Sequence, residues 1–337
     1  MGRGMRNVGA KLWLGIGLSA FALSVATLPA VAAPASGGVI TLLDENDTYV
    51  NTDRYYTNGV KFGYVMPPAH TDALGTWLSK HVWPGAEGLS FRNSYSFGQS
   101  MFTPSNLTIS ASQPDDRPYA GWLYGDYGLI AEGKNAVTTA DVELGVVGPA
   151  AGGKRLQINL HQILKGTSPN GWNNQVENQP GIDLTVTRQW RQQDPLEWQG
   201  VQLEIEPHIG ATAGSVMTEA FAGGSLVIGN ALVKESLPLR VRPGFGGAGS
   251  YDDVSGVGWF LFAGASGRAI AYDATLEGKT PYKSLIDRRP YVLDMQVGAA
   301  LRLWHAQFTF TIVERTKEFS AQAGNHRFGS LSLSWHL

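Results

Sequence analysis

The sequence predicts an all-β fold, a transmembrane antiparallel β-barrel of about twelve strands with a short helix in one extracellular loop. Three observations point there. Apolar and polar residues alternate over segments of about ten residues along the chain, the period that places successive side chains on opposite faces of a strand. Beyond the N-terminal leader no run of about 18 apolar residues occurs, and mean hydropathy is −0.11, so membrane-spanning helices are excluded. The polar face carries charges in mid-strand while the apolar face carries aromatics, which suits a wet lumen and a lipid-facing wall with aromatic girdles.

The first element is a leader over residues 1–32. Arg3, Arg6 and Lys11 make a basic start, an apolar run extends from Leu12 to Leu28, and Pro29-Ala30-Val31-Ala32 supplies small residues suited to cleavage after Ala32. Residues 33–337 then form one barrel domain. The leader contains no acidic residue, so the mature chain is more acidic than the net −2 of the whole, which offers nothing to a nucleic-acid partner. With no cysteine, neither disulfides nor thiol-ligated metal can hold the fold.

Twelve strands are expected at 38–46, 57–67, 90–101, 118–131, 137–147, 181–193, 200–213, 217–230, 257–271, 290–303, 305–317 and 326–337. The alternation is clearest in the last, where Gly329, Leu331, Leu333, Trp335 and Leu337 oppose Ser330, Ser332, Ser334 and His336. Glu204 and Glu206, and likewise Asp294 and Gln296, mark the lumen side. Trp190, Tyr291, Trp304 and Trp335 mark the lipid side. Segments 217–230 and 237–246 carry the weakest pattern. If the first strand runs outward from the periplasm, the unusual loops 46–56, 102–117 and 148–180 all fall on the extracellular side, beside the lipopolysaccharide leaflet. Two connections, 67–89 and 231–256, are long for periplasmic turns.

Those three loops hold the candidate chemistry. After Gly152-Gly153, residues 154–165 have helical character with an apolar stripe at Leu156, Leu160 and Ile163, and Gln157 and His161, four apart, share one face. A histidine poised near neutral pH is a natural base for drawing a proton from water, and His161 is expected opposite the Asn46-Asp47 loop. Asn46-Asp47 reads either as turn chemistry or as a hard-cation site with Asp47 supplying a carboxylate. Thr57 shares the parity of Gly59 and Lys61 and is expected to face the lumen. Asp116-Arg117-Pro118-Tyr119 reads as a salt-bridged turn entering a strand.

Together the strings Glu45-Asn46-Asp47, Tyr56-Thr57-Asn58-Gly59, Asp116-Arg117-Pro118-Tyr119-Ala120-Gly121-Trp122, Val146-Val147-Gly148-Pro149-Ala150-Ala151-Gly152-Gly153, Gln157-x-x-x-His161 and Gly171-Trp172-x-x-Gln175 resemble the LpxR family of outer-membrane lipid A 3'-O-deacylases. The resemblance runs from about residue 38 to the C-terminus. It implies a twelve-stranded barrel in the cell outer membrane and a calcium-dependent esterase acting on lipid A of lipopolysaccharide; the barrel is expected as a monomer among outer-membrane lipid. By the same resemblance His161 is the general base, Asp47 the metal-side carboxylate, and Asn46, Thr57 and Gln157 the polar groups of the site. Some members carry an acid six positions after the histidine, where this chain has Thr167, and Glu177 is a substitute to consider. Two other readings stand beside this one: an outer-membrane phospholipase with Ser105 or Ser168 as nucleophile, and a non-enzymatic barrel or pore.

Overall fold

The computed structural model describes residues 37–164, 168–192, 195–230, 232 and 257–337, without the side chains of residues 163 and 164. The expected leader, the weak segment 237–246 and Thr167 lie outside the described residues. The strands are β1 (Val39–Asn46), β2 (Tyr55–Val65), β3 (Ser90–Thr103), β4 (Ala120–Glu132), β5 (Ala136–Val147), β6 (Gln179–Trp190), β7 (Leu196–Trp198), β8 (Val201–Gly214), β9 (Met217–Gly229), β10 (Val257–Asp273), β11 (Tyr291–Leu303), β12 (Ala306–Arg315) and β13 (His326–His336). The three-residue β7 pairs only with the start of β8. The other twelve strands close a ring of antiparallel neighbours, sealed by β1 against β13 and β6 against β8. Closure is what lets strands cross a bilayer, because it leaves no unpaired backbone edge in the hydrocarbon.

Side-chain polarity is inverted relative to a water-soluble sheet. Ile182, Leu184 and Val186 of β6 are exposed while Asp183, Thr185 and Thr187 between them are buried, and Ile205 and Ile209 of β8 are exposed while Glu204, Glu206 and His208 are buried. Tyr291, Trp304 and Trp335 are more than half exposed, as a girdle on the lipid-facing wall requires. No described helix is long and apolar enough to cross a membrane.

Inside the wall, charges meet charges. Lys61 pairs with Asp126 at 3.2 Å, Arg268 with Glu219 at 2.7 Å, and Arg315 donates to both oxygens of Asp294 at 2.7 and 2.8 Å. The apolar core sits in the same interior, where Leu43, Tyr56, Phe102, Trp122, Tyr124, Val313 and Phe328 pack as one cluster.

Both described chain ends lie at one end of the barrel, since Leu337 N–H donates to Gly38 O. The 47–54, 104–119 and 148–178 connections therefore share the opposite end, as the strand parity predicts, and that end is extracellular if β1 runs outward from the periplasm. The long 66–89 connection contains α1 (Ala73–His81), which the sequence pattern did not suggest. Asp72 caps this helix by accepting from Gly75 N–H at 2.6 Å, and it also accepts from the Tyr95 and Tyr127 hydroxyls at 2.6 and 3.0 Å. The expected loop helix is α2 (Gly153–Leu164), and a single turn, α3 (Ala274–Glu277), follows β10.

Candidate active site

The site forms on the outer flank of the barrel, not in its lumen. Ala120 and Trp122 of β4 belong to the interior cluster, so Gly121 between them faces outward. A Cβ on Gly121 would stand 3.0 Å from Ala151 Cβ and 3.5 Å from Gly153 N, so the start of α2 lies directly on the strand, an approach at which any side chain at 121 would press on Ala151. The turn at residues 149–151 is fixed by Gly148 at φ 104° and Gly152 at φ 75°, left-handed conformations at both ends. Gln99 of β3 donates to Ala151 O and ties the turn to the wall. The outward residue Met101 is then buried with Leu107, Tyr119 and Trp172, and Leu156 of α2 packs on this cluster.

This placement holds one face of α2 against the barrel. Gln157 is 1% exposed, and its Oε1 accepts from Trp172 Nε1 at 2.7 Å, while its Nε2 is buried without a hydrogen-bond partner. One turn further on, His161 is half-buried, with Nε2 at 3.9 Å from Asp53 Oδ2. The expectation that Gln157 and His161 share a helix face, with His161 opposite the first loop, is met at this contact.

The first loop begins with a short 3-10 turn, Asp47–Val50, that folds down the outside of β13, where Tyr49 covers Gly329. Asn46 caps the turn. Its Oδ1 accepts from Thr48 N at 2.8 Å and from Thr48 Oγ1 at 2.5 Å, so the turn reading of Asn46 is realised. Asp47 is fully buried, with Oδ2 accepting from Arg54 N–H at 2.5 Å and Oδ1 unpaired. Burial raises its pKa well above the usual carboxylate range, the Arg54 N–H opposes that, and the nearby Asp53 charge adds to it. Asp53 is raised as well, first by burial, while His161 pulls it down. A buried acid with an orphaned oxygen is the kind of group that a hard cation satisfies. Among the described residues no group of three or more histidine, aspartate or glutamate side chains is placed to hold a metal ion by itself.

Two expectations are corrected. Thr57 does not follow Lys61 into the lumen, because a bulge between Tyr56 and Asn58 breaks the alternation. Its hydroxyl shares a 2.7 Å hydrogen bond with Thr103, on the outward parity of Met101. Asp116 and Arg117 do not bridge each other. Asp116 accepts from Ser105 N and Oγ, and the fully buried Arg117 pairs with Glu318 at 3.0 Å and lies over the Phe102 ring. Glu177 pairs with Lys279 at 2.7 Å at the exposed rim. Asp53 has no distinguishing motif around it. Its only advance signal was an acid in the loop expected to face His161.

A family model described as outer membrane protein LpxR matches residues 18–337. The chain belongs to the LpxR family. It is accordingly an outer-membrane barrel of the LpxR type, a setting consistent with deacylation of lipid A. Among solved structures, LpxR from Salmonella typhimurium superposes with a TM-score of 0.71 at 20% identity, covering 89% of this chain and 100% of that one, which shows the shared fold. The β domain of the Bordetella autotransporter BrkA matches with a TM-score of 0.40 at 7% identity over 90% of this chain and 99% of that one. The NalP translocator domain from Neisseria meningitidis matches at 0.38 and 9% identity over 90% of each chain. No curated protein matches this chain.

Proposed function

We propose that this chain hydrolyses the 3'-O-linked acyloxyacyl ester of lipid A. The observation that carries the reading is the position of His161, on a helix held against the outer barrel wall at the extracellular end. A lipid of the outer leaflet can present its ester carbonyl there without leaving the bilayer. His161 takes a proton from water, the water oxygen adds to the carbonyl carbon, and the proton passes to the sugar oxygen as the acyl–oxygen bond breaks. Asp47 suits a calcium ion through its orphaned carboxylate oxygen, with the remaining oxygens drawn from loop carbonyls, amides and water. When bound, such a cation supplies positive charge for the developing oxyanion. Gln157 and Trp172 brace the helix beneath His161, and Thr57 with Thr103 contributes hydroxyls on the same outer wall.

No serine nucleophile is needed. Ser105 donates to Asp116, as expected of a turn residue, and Ser168 is exposed in the loop after α2. The test uses purified barrel and lipid A in mixed micelles, with released acyl chain measured for wild type, Ser105→Ala and Ser168→Ala. Release by all three supports the reading. No release by wild type, together with conductance in planar bilayers, favours a pore. Loss in one serine variant, with covalent labelling of wild type by a phosphonate, favours the phospholipase design.

A further inference from the structure

We infer that Asp53 is the positioning residue of His161, the carboxylate that holds the imidazole in place and balances the positive charge it acquires on taking a proton. The inference rests on the proposed role of His161 as base and names the group that serves it.

The contact is the first argument. Asp53 Oδ2 lies 3.9 Å from His161 Nε2, longer than a hydrogen bond, in the range of an ion pair that tightens once substrate is bound and the ring becomes charged. The second argument is that, among the described residues, no hydrogen bond and no other ion pair holds this carboxylate. Asp53 Oδ1 is buried without a hydrogen-bond partner, and His161 is the charge that lowers the acid's pKa against its burial. The third is that the loop is built to hold Asp53 in place. Arg54 N–H, one residue on, is bound by Asp47 Oδ2, and on the other side Thr52 donates through N and Oγ1 to Asp47 O and through Oγ1 to Arg327 O. Asp53 is thus fixed between two anchored residues and presented toward α2.

Three other charged side chains of these loops have partners of their own. Arg54 lies over the Tyr55 ring at 5.3 Å, Lys154 on the same helix as His161 reaches Asn173 at 2.9 Å, and Glu177 is held by Lys279. A base whose orienting acid is removed keeps its substrate but loses the alignment and charge balance that the reacting state requires.

The experiment compares Asp53→Asn and Asp53→Glu with wild type, using heat-modifiable migration to confirm folded barrels. Expected is a fall in kcat of roughly 10- to 100-fold in Asp53→Asn, smaller than the 10²–10⁴-fold that the base itself supplies, because the imidazole is still present. KM stays within about twofold, and Asp53→Glu recovers most of the loss, a split that marks an effect on the reacting state. Independently of turnover, NMR of selectively labelled His161 should show an ordered ring in wild type and Asp53→Glu and a mobile one in Asp53→Asn. An Asp53→Asn protein with wild-type kcat, or with kcat kept and KM raised, overturns the assignment. So does an ordered His161 ring in that variant, or a lost thermal response to added calcium that would make Asp53 a cation ligand instead. If wild type releases no acyl chain, the deacylase reading fails while the ring measurement still decides the pairing.

Discussion

His161 Nε2 stands 3.9 Å from Asp53 Oδ2, and this contact joins α2 to the turn that follows β1. The two segments leave different strands and meet on the outer side of the wall, above the lipid-facing surface.

The close seat of α2 on β4 gives the first prediction. Gly121→Val places branched carbon where a Cβ alone already meets Ala151 at 3.0 Å. Overpacking of this kind costs about 1–3 kcal/mol. The turn before α2 should be displaced, so acyl release falls at least about tenfold while the barrel still shows heat-modifiable migration.

A second prediction concerns the brace below His161. Gln157→Leu leaves Trp172 Nε1 buried without its 2.7 Å acceptor, a loss of about 1–3 kcal/mol. The melting temperature should drop, and activity should drop with it. An unchanged melting temperature would show that the amide contributes nothing to holding α2.

Calcium gives a third. The buried Asp47 carboxylate keeps one oxygen unpaired, so a bound cation should stabilise the wild-type protein by mass action and chelation should lower its melting temperature. Asp47→Asn should be nearly insensitive to both treatments, measured by thermal shift. Equal calcium responses in the two proteins would move the ion elsewhere.

The periplasmic end offers a pH test. Burial would raise Asp72, but the Gly75 N–H and the Tyr95 and Tyr127 hydroxyls outweigh it and hold its pKa below the ordinary value. A depressed folded-state pKa means that the carboxylate's contribution is full above the unfolded pKa and is lost as pH falls through the folded one. Hydrogen exchange in α1 should therefore quicken under acid conditions, and Asp72→Ala should show the fast exchange already at neutral pH. The cap is worth about 0.5–2 kcal/mol.

The barrel was legible because lipid and lumen impose opposite polarity on adjacent residues. Ile205 and Glu206 declare their faces by type alone, and the observed strands fall within a few residues of the expected bounds. The helix at Gly153–Leu164 was legible for the same reason, through the spacing of Leu156 and Leu160. Thr57 was misplaced because a single bulge residue shifts every side chain beyond it, and nothing in Tyr56-Thr57-Asn58 announces the bulge. Arg117 was misassigned because its partner Glu318 is remote in sequence and reaches it only once the barrel closes. Asp53 went unnoticed for a similar reason, since its value lies in a contact across two loops.

The measurement that tests the account most directly is the mass spectrum of lipid A from the membranes of a host lacking this activity, made to express wild type or His161→Ala. Wild type should yield lipid A lighter by one acyloxyacyl group, with the loss mapped to the 3' position. His161→Ala, present as a folded barrel in the same membranes, should return the parent mass, because losing the base costs about 10²–10⁴-fold in rate. Parent lipid A from wild-type cells, or the same lighter product from His161→Ala cells, would contradict the account.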